Sequence, residues 1–369
     1  MASRDNAILL TGATGFIGGS ILTHLLESSE PAIRTTQISC LIRGADRAEK
    51  LSSAYGNRVK PILYEGNDDL DTIIAVAAQH DIVINATMGF HPPSAEALVK
   101  GLAKRKGLTG RGVWIIQTSG TSNIGDKPIT RPDVPVRIFD DMVDDIYSYE
   151  KELEAEQPYA QRTTELGVID AGLALGVNTL VIISPAIYGR GIGIFNKSSA
   201  QTFFLRAVLT MKKSAVIGEG TSIYGHVHIT DVVELYKLIL LDVIDSDGQH
   251  LPSGKKGIIF SAHGENTKIR EAKLIAAAGH ELGILPDETV EHLSLEVAAR
   301  ELLPHLGLFT QEEMDAAGPQ ITESVLASNA RTIPSVAQKL GWKPVKGEDA
   351  WEQAIKDDLK HGAAALGLL

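Results

Sequence analysis

A chain of 369 residues exceeds the usual size of one hydrophobic core, so a large domain with a smaller partner is expected. Its 44% apolar and 22% charged residues are those of a folded globular protein, and a formal charge of −11 excludes the broad basic surface that nucleic acid requires. The single cysteine, Cys40, excludes an internal disulfide, and no apolar run approaches the ~20 residues of a membrane span, so a cytoplasmic protein that binds neither membrane nor nucleic acid is expected.

The first apolar run, 7–11, is too short for a secretion signal and runs straight into a glycine-rich turn, so it reads as a strand. A helix follows, with Ile17, Ile21, Leu22, Leu25 and Leu26 on one apolar stripe. Further strands are expected over 37–43, 59–64, 81–86, 112–118 and 178–184, mostly as continuous apolar runs because parallel strands are buried on both faces. Segments of helical period separate them, which predicts an α/β fold built on a doubly wound parallel sheet of Rossmann type. Past Tyr188, glycines at 189, 191 and 193 break this regularity and open a smaller α+β region. The run 257–262 reads as a buried strand returning to the sheet. The expected layout is therefore a dinucleotide-binding domain over 1–190, with 222–262 returning to it, and a substrate-binding region over 191–221 and 263–369. The helix from Trp351 onward is amphipathic.

The turn Thr11-Gly-Ala-Thr-Gly-Phe-Ile-Gly18 lies between a strand and a helix, the context that gives such a motif meaning. Gly12 permits the tight turn, Gly15 lets the backbone approach a pyrophosphate, and Gly18 allows close helix packing, with Thr14, Phe16 and Ile17 completing the cradle. After the second strand, Arg43 and Arg47 offer guanidinium groups to a 2′-phosphate, so NADP(H) is expected, with NAD(H) the alternative. Asp46 is the residue that argues for NAD(H), unless it caps the following helix. Asn67 and Asp68 follow the third strand on the adenine side, Ala86 and Thr87 end the fourth beside the ribose, and Thr118 closes the fifth.

Together with Gln117-Thr-Ser-Gly-Thr-Ser122, Gly125-Asp126, Pro158-Tyr-Ala-Gln161, Ser184-Pro-Ala-Ile-Tyr-Gly-Arg-Gly191, His226-Val-His-Ile-Thr-Asp231, Ser328-Asn-Ala-Arg331 and Leu340-Gly-Trp-Lys-Pro344, this turn resembles the extended branch of the short-chain dehydrogenase/reductase superfamily, related to nucleotide-sugar epimerases and dehydratases. The resemblance implies a Ser or Thr after strand five on the reacting oxygen, a Tyr that moves its proton, and a Lys four residues later that lowers the phenol pKa. It assigns the first role to Ser119 or Thr121, with Ser119 preferred, the second to Tyr159, and contact with the nicotinamide to Pro185 and Ile187.

The lysine is missing. Residues i and i+4 share a helix face, and four residues beyond Tyr159 stands Thr163. Arg162 lies about 100° round the helix from that face. A literal Tyr-x-x-x-Lys occurs at Tyr147 and Lys151, inside a polar helix expected over 141–156. Three readings stay open here: Tyr159 acts with hydroxyls and another cation; Tyr147 or Lys151 has taken over; or the cofactor serves as a sensor ligand, as in NmrA-like relatives, or supports a non-redox step.

His226, His228 and Asp231 have ligand chemistry, but the first two alternate as in a strand and the family motif makes Asp231 a helix cap, so no metal is expected. Phe203, Phe204 and Leu205 read as a core helix face or a pocket wall. The expected function is an NADP(H)-dependent oxidoreductase, monomeric or homodimeric, acting on a small carbonyl or alcohol. The alternatives are a cofactor sensor and a nucleotide-sugar epimerase or dehydratase. The last needs a diphosphate clamp, for which Arg206, Lys212, Lys213 and Arg270 are the candidates.

Overall fold

The computed structural model describes residues 6–87, 89–198, 202–307 and 309–369, with the side chains of Thr202 and Phe203 outside that description. All seven expected strands form and join one parallel sheet: β1 (Ile8–Thr11), β2 (Ile38–Ile42), β3 (Val59–Leu63), β4 (Ile82–Asn85), β5 (Trp114–Gly120), β6 (Asn178–Ser184) and β7 (Ile258–Phe260). Their order is β7-β6-β5-β4-β1-β2-β3, so the winding reverses between β1 and β4, where open α/β sheets form a ligand crevice. Strand β5 runs two residues beyond its expected end, to Gly120, because Ser119 and Gly120 still pair with Ile183 and Ser184 of β6.

The helices used below are α1 (Phe16–Leu26), α2 (Ala45–Tyr55), α3 (Leu70–Ala77), α4 (Pro92–Thr109), α5 (Ile146–Glu156), α6 (Ala160–Leu175), α7 (Thr202–Met211), α8 (Ile229–Ser246), α9 (Lys268–Glu281) and α10 (Glu348–Ala365). On one face of the sheet, Ile21, Leu22 and Leu25 of α1 share a core with Val232, Tyr236 and Ile239 of α8. On the other, Ile73 and Val76 of α3 pack with Leu98 and Leu102 of α4 and Val168 of α6. Cys40 is fully buried in β2, and burial pushes its thiol up to about 12, so it is inert at neutral pH.

After β6 the chain enters a three-stranded sheet formed by Ala186–Tyr188, Ile223–His228 and Gly264–Thr267. Helices α7, α9 and α10 pack beside it through Leu205, Leu209, Ile275, Trp351, Ile355 and Leu359, so the C-terminal helix is docked and Leu205 is a core residue. Between these parts the segment 189–196 crosses α1 main chain to main chain. A Cβ on Gly193 would lie 2.9 Å from Gly19 Cα, Gly191 lies against the Phe16 ring, and Ile192 N donates to Ser20 Oγ at 3.2 Å.

The helix-cap expectation for Asp231 is corrected. His228 caps α8, its ring accepting from Thr230 N, while Asp231 sits in the first turn and accepts from the N–H groups of Val345 and Lys346. Asp231 thus anchors the segment that includes Trp342, whose indole donates to the Asp231 carbonyl. His226 is buried, stacked on Trp351 at 5.0 Å and in contact with Asn266, and burial pushes it down to about 4. Among the described residues no helix is long and apolar enough to cross a membrane, and no cluster of three metal-ligating side chains occurs.

Candidate active site

The glycine turn is fixed by its backbone. Gly12 has φ +71°, and a Cβ there would lie 2.2 Å from Ala86 O, at the end of β4. A Cβ on Gly18 would lie 2.3 Å from Gly12 O, so α1 starts hard against the turn, and Gly15 N donates back to Gly12 O at 2.8 Å. Gly15 itself, the N-cap of α1, has no side-chain cap, which leaves the first N–H groups of the helix for an anion. A turn packed this tightly on β4, with the first N–H groups of α1 left without a cap, fits a dinucleotide pyrophosphate.

A buried polar chain ties the carboxyl ends of three strands together behind this turn. Thr11 Oγ1 and Thr87 Oγ1 donate to Asn85 Oδ1 at 2.5 and 2.7 Å, and Asn85 Nδ2 donates to Gln117 Oε1 at 2.7 Å. Thr118 Oγ1 bonds Tyr236 OH of α8 at 2.6 Å, so its side chain is taken up by the fold rather than offered to a cofactor. Thr11, Leu41, Tyr64, Asn67, Asn85 and Thr87 line a small crevice on the β1–β2–β3 side of the switch point. Asp68 stands exposed, in contact with His91 Nε2 at 3.2 Å. Arg43 and Arg47 are exposed at the end of β2 and the start of α2, and no ion pair among the described residues holds them. Asp46 does not cap α2: Gly44 is the N-cap, and Asp46 is a first-turn acid, stabilising to the helix dipole.

The catalytic candidates separate. Tyr159, the N-cap residue of α6, brings its hydroxyl to 3.2 Å from Ser122 Oγ, which also donates to Gln161 Oε1 at 2.8 Å. Phe90 lies edge-on to the Tyr159 ring at 5.9 Å, and burial pushes the phenol up to about 12. Ser119, the preferred hydroxyl, points the other way. Because β5 continues to Gly120, strand alternation turns Ser119 inward, where its Oγ accepts from Asn123 Nδ2 at 3.1 Å. Thr121 lies in the turn after β5 and lines the cavity beside Ser122.

Thr163 does not stand in for the absent lysine, since its hydroxyl donates to Glu154 and to Tyr159 O. Arg162 is also committed: it donates to Glu154, to Asn123 O and to the carbonyls of Leu153 and Gln157. Lys151 and Tyr147 both bond Asp170, eleven residues beyond Tyr159 and so about 16 Å along the axis of α6, which places that pair away from the Tyr159 hydroxyl. Ile187 likewise faces the main core, leaving Pro185 and Ala186 to line the cavity.

Sequence reasoning missed the residues between α5 and α6. Glu150 and Glu165 are fully buried side by side beneath Ser119, and Asn123 Nδ2 donates to Glu165 Oε2 at 2.6 Å. Burial raises Glu150 well above the carboxylate range, with the neighbouring Glu165 charge adding to the shift, and raises Glu165 to about 7. Nothing in a helical period marks two acids on neighbouring helices as facing each other.

A glycine cradle at the switch point and a Tyr–Ser pair at the carboxyl edge of β5 define a nucleotide-cofactor enzyme. Residues 10–82 match the NAD-binding family described as male sterility protein. The oxidase ucsJ of an Acremonium species is 29% identical over 353 residues, 92% of either chain, and the uncharacterized protein YLL056C of Saccharomyces cerevisiae is 23% identical over 261 residues, 70% of this chain and 74% of its own. The fold is shared with the dTDP-glucose 4,6-dehydratase DesIV of Streptomyces venezuelae, solved with NAD and TYD bound, at a TM-score of 0.63, 14% identity and coverage of 97% and 98% of the two chains. A UDP-glucose 4-epimerase of Thermotoga maritima aligns at a TM-score of 0.57 and 14% identity, covering 98% of this chain and 99% of the epimerase. The family matched over residues 10–82 and the shared fold agree with the resemblance of the motifs to the extended short-chain dehydrogenase/reductase superfamily and with an NAD(P)-dependent enzyme.

Proposed function

We propose that the protein is an NADP(H)-dependent oxidoreductase that reduces a small carbonyl compound, with Tyr159 and Ser122 on the reacting oxygen. The observation that carries this is the 3.2 Å contact of Tyr159 OH with Ser122 Oγ beside the cavity at the end of β5. The cradle at Gly12, Gly15 and Gly18 holds the pyrophosphate, Arg43 and Arg47 meet the 2′-phosphate, and Pro185 lies towards the nicotinamide. A bound nicotinamide supplies the hydride.

The chain supplies the proton. A phenol held up to about 12 is protonated at neutral pH, so Tyr159 is set to donate rather than to abstract. This favours the reductive direction and makes the missing lysine less costly, because that lysine's task is to ionise the phenol. Tyr159→Phe is expected to lower kcat/KM by about 10²–10⁴-fold with cofactor affinity intact, measured by NADPH oxidation over a panel of small ketones and aldehydes.

Arg43→Ala separates the two cofactors. Losing a charge-assisted contact worth about 1.5–3 kcal/mol weakens NADPH binding roughly 10–100-fold in calorimetric titration and leaves NADH within about twofold. Equal losses for both cofactors would refute the NADP(H) assignment.

The sensor reading keeps one specific support: Glu154 and Thr163 occupy the face on which the superfamily places its lysine. NADPH binding with no turnover on the carbonyl panel would select it. A nucleotide-sugar reaction has less support, since none of Arg206, Lys212, Lys213 and Arg270 lines the cavity. Lys213 pairs with Glu291 and Glu301, and Arg270 with Glu348 and Glu352. A single cysteine allows no internal disulfide, and a cytoplasmic setting is part of this reading.

A further inference from the structure

Beside Ser122 lies a cavity of about 170 Å³ whose far wall comes from the C-terminal region: Tyr224 and, on α9, Lys268 and Glu271. It adjoins a second pocket of about 80 Å³, walled by Val208, Met211, Val216, Ile275, Leu302 and Leu326. Phe204, Lys268 and Glu271 line both spaces, so they stand at the junction. The smaller pocket has room for several heavy atoms and a mostly apolar wall.

The junction is chemically unusual. Lys268 and Glu271 lie 3.6 Å apart, each 15% exposed, and together carry no net charge. The Lys268 ammonium sits 3.5 Å from the centroid of the Tyr224 ring. Tyr224 is 6% exposed and lines the cavity, and its buried hydroxyl is acted on most strongly by the Glu271 carboxylate. Phenol, carboxylate and ammonium thus form one polar group at the junction. A free anion would be repelled by Glu271 and a free cation by Lys268. A neutral group that both accepts and donates satisfies all three side chains.

We propose that the cleft takes an oxo compound of three parts: a carbonyl beside Ser122, a neutral donor–acceptor group such as a carboxamide against Lys268, Glu271 and Tyr224, and an apolar arm in the pocket beyond. This rests on the oxidoreductase reading for the carbonyl. The arm and the polar group are read from the junction alone.

The test is calorimetric titration of the full chain, with and without NADPH, using 3-oxobutanamide and its N-ethyl and N-butyl derivatives, which carry the arm beyond the amide, and 2-alkanones of the same carbon number. Affinity is expected to rise about tenfold or more from the parent amide to the N-butyl amide, and each alkanone to bind at least about tenfold more weakly than its amide. Lys268→Met is expected to remove the preference for amides and Lys268→Arg to restore part of it. Val208→Trp is expected to remove the gain with chain length. NADPH affinity stays within twofold of wild type in all three variants, which also reports that they are folded. Equal binding of amides and alkanones, or no gain with length, alongside intact NADPH binding would overturn this proposal and leave the oxidoreductase reading standing. Failure of the wild type to bind NADPH would take down both.

Discussion

Gly12→Ala is expected to lose dinucleotide binding and several kcal/mol of stability together. A Cβ at this position meets two main-chain atoms of Ala86, at 2.2 and 2.6 Å, and neither can swing aside as a side chain would. The backbone has φ +71°, which costs a non-glycine residue about 1–2 kcal/mol before any clash is counted. Relief requires β1 and β4 to part, yet they are paired in register from Ile8 with Ile82 to Thr11 with Asn85. Gly15→Ala is the informative contrast. Its Cβ would meet only Gly12 O, at 3.2 Å, so thermal unfolding should change little while the methyl group obstructs the approach to the pyrophosphate and weakens NADPH binding about tenfold or more. If Gly15→Ala bound NADPH like wild type, the cradle would not hold the cofactor in the manner described.

Glu165→Gln is expected to stabilise the protein at pH 8 and to do little at pH 5. Both states carry a protonated Glu165 below its ordinary value of 4.5, whereas from there up to about 7 only the unfolded chain ionises. The folded state therefore loses stability as pH rises through that window, by ~3 kcal/mol in total, and the loss is constant above it. Glutamine keeps the contacts to Asn123 and Ser119 and carries no such penalty. Its unfolding midpoint at pH 8 should exceed that of wild type by about 3–6 °C, with the gap closing towards pH 5. Parallel midpoint-against-pH curves for the two proteins would show that Glu165 is ionised in the fold.

The sheet was legible because its strands are short apolar runs separated by helical periods, and a parallel sheet makes both features obligatory. The glycine turn was legible because strand, turn and helix are contiguous. What misled was an end. Placing the close of β5 at Thr118 made Ser119 a loop residue free to face the cofactor, whereas two further residues of pairing turn it into the interior and hand its expected place to Ser122. Lys151 misled differently, since the spacing from Tyr147 is correct but the helix directs both side chains to Asp170. The junction at Tyr224 and Lys268 was not legible at all. It faces Ser122 from about a hundred to a hundred and fifty residues away, and no local period records which distant surfaces will meet.

The crossing of 189–196 over α1 bears on how such a scaffold changes its trade. Where Gly193 meets Gly19 and Gly191 meets Phe16, the seam leaves no side chain of 191 or 193 to trim. The distance between the nucleotide grip and the cleft is thus set like a machined joint, indifferent to whatever lines the far wall. Val208, Met211 and Val216 lie on that far wall and take no part in the joint. New compounds can be admitted one wall at a time while the reacting groups keep their alignment.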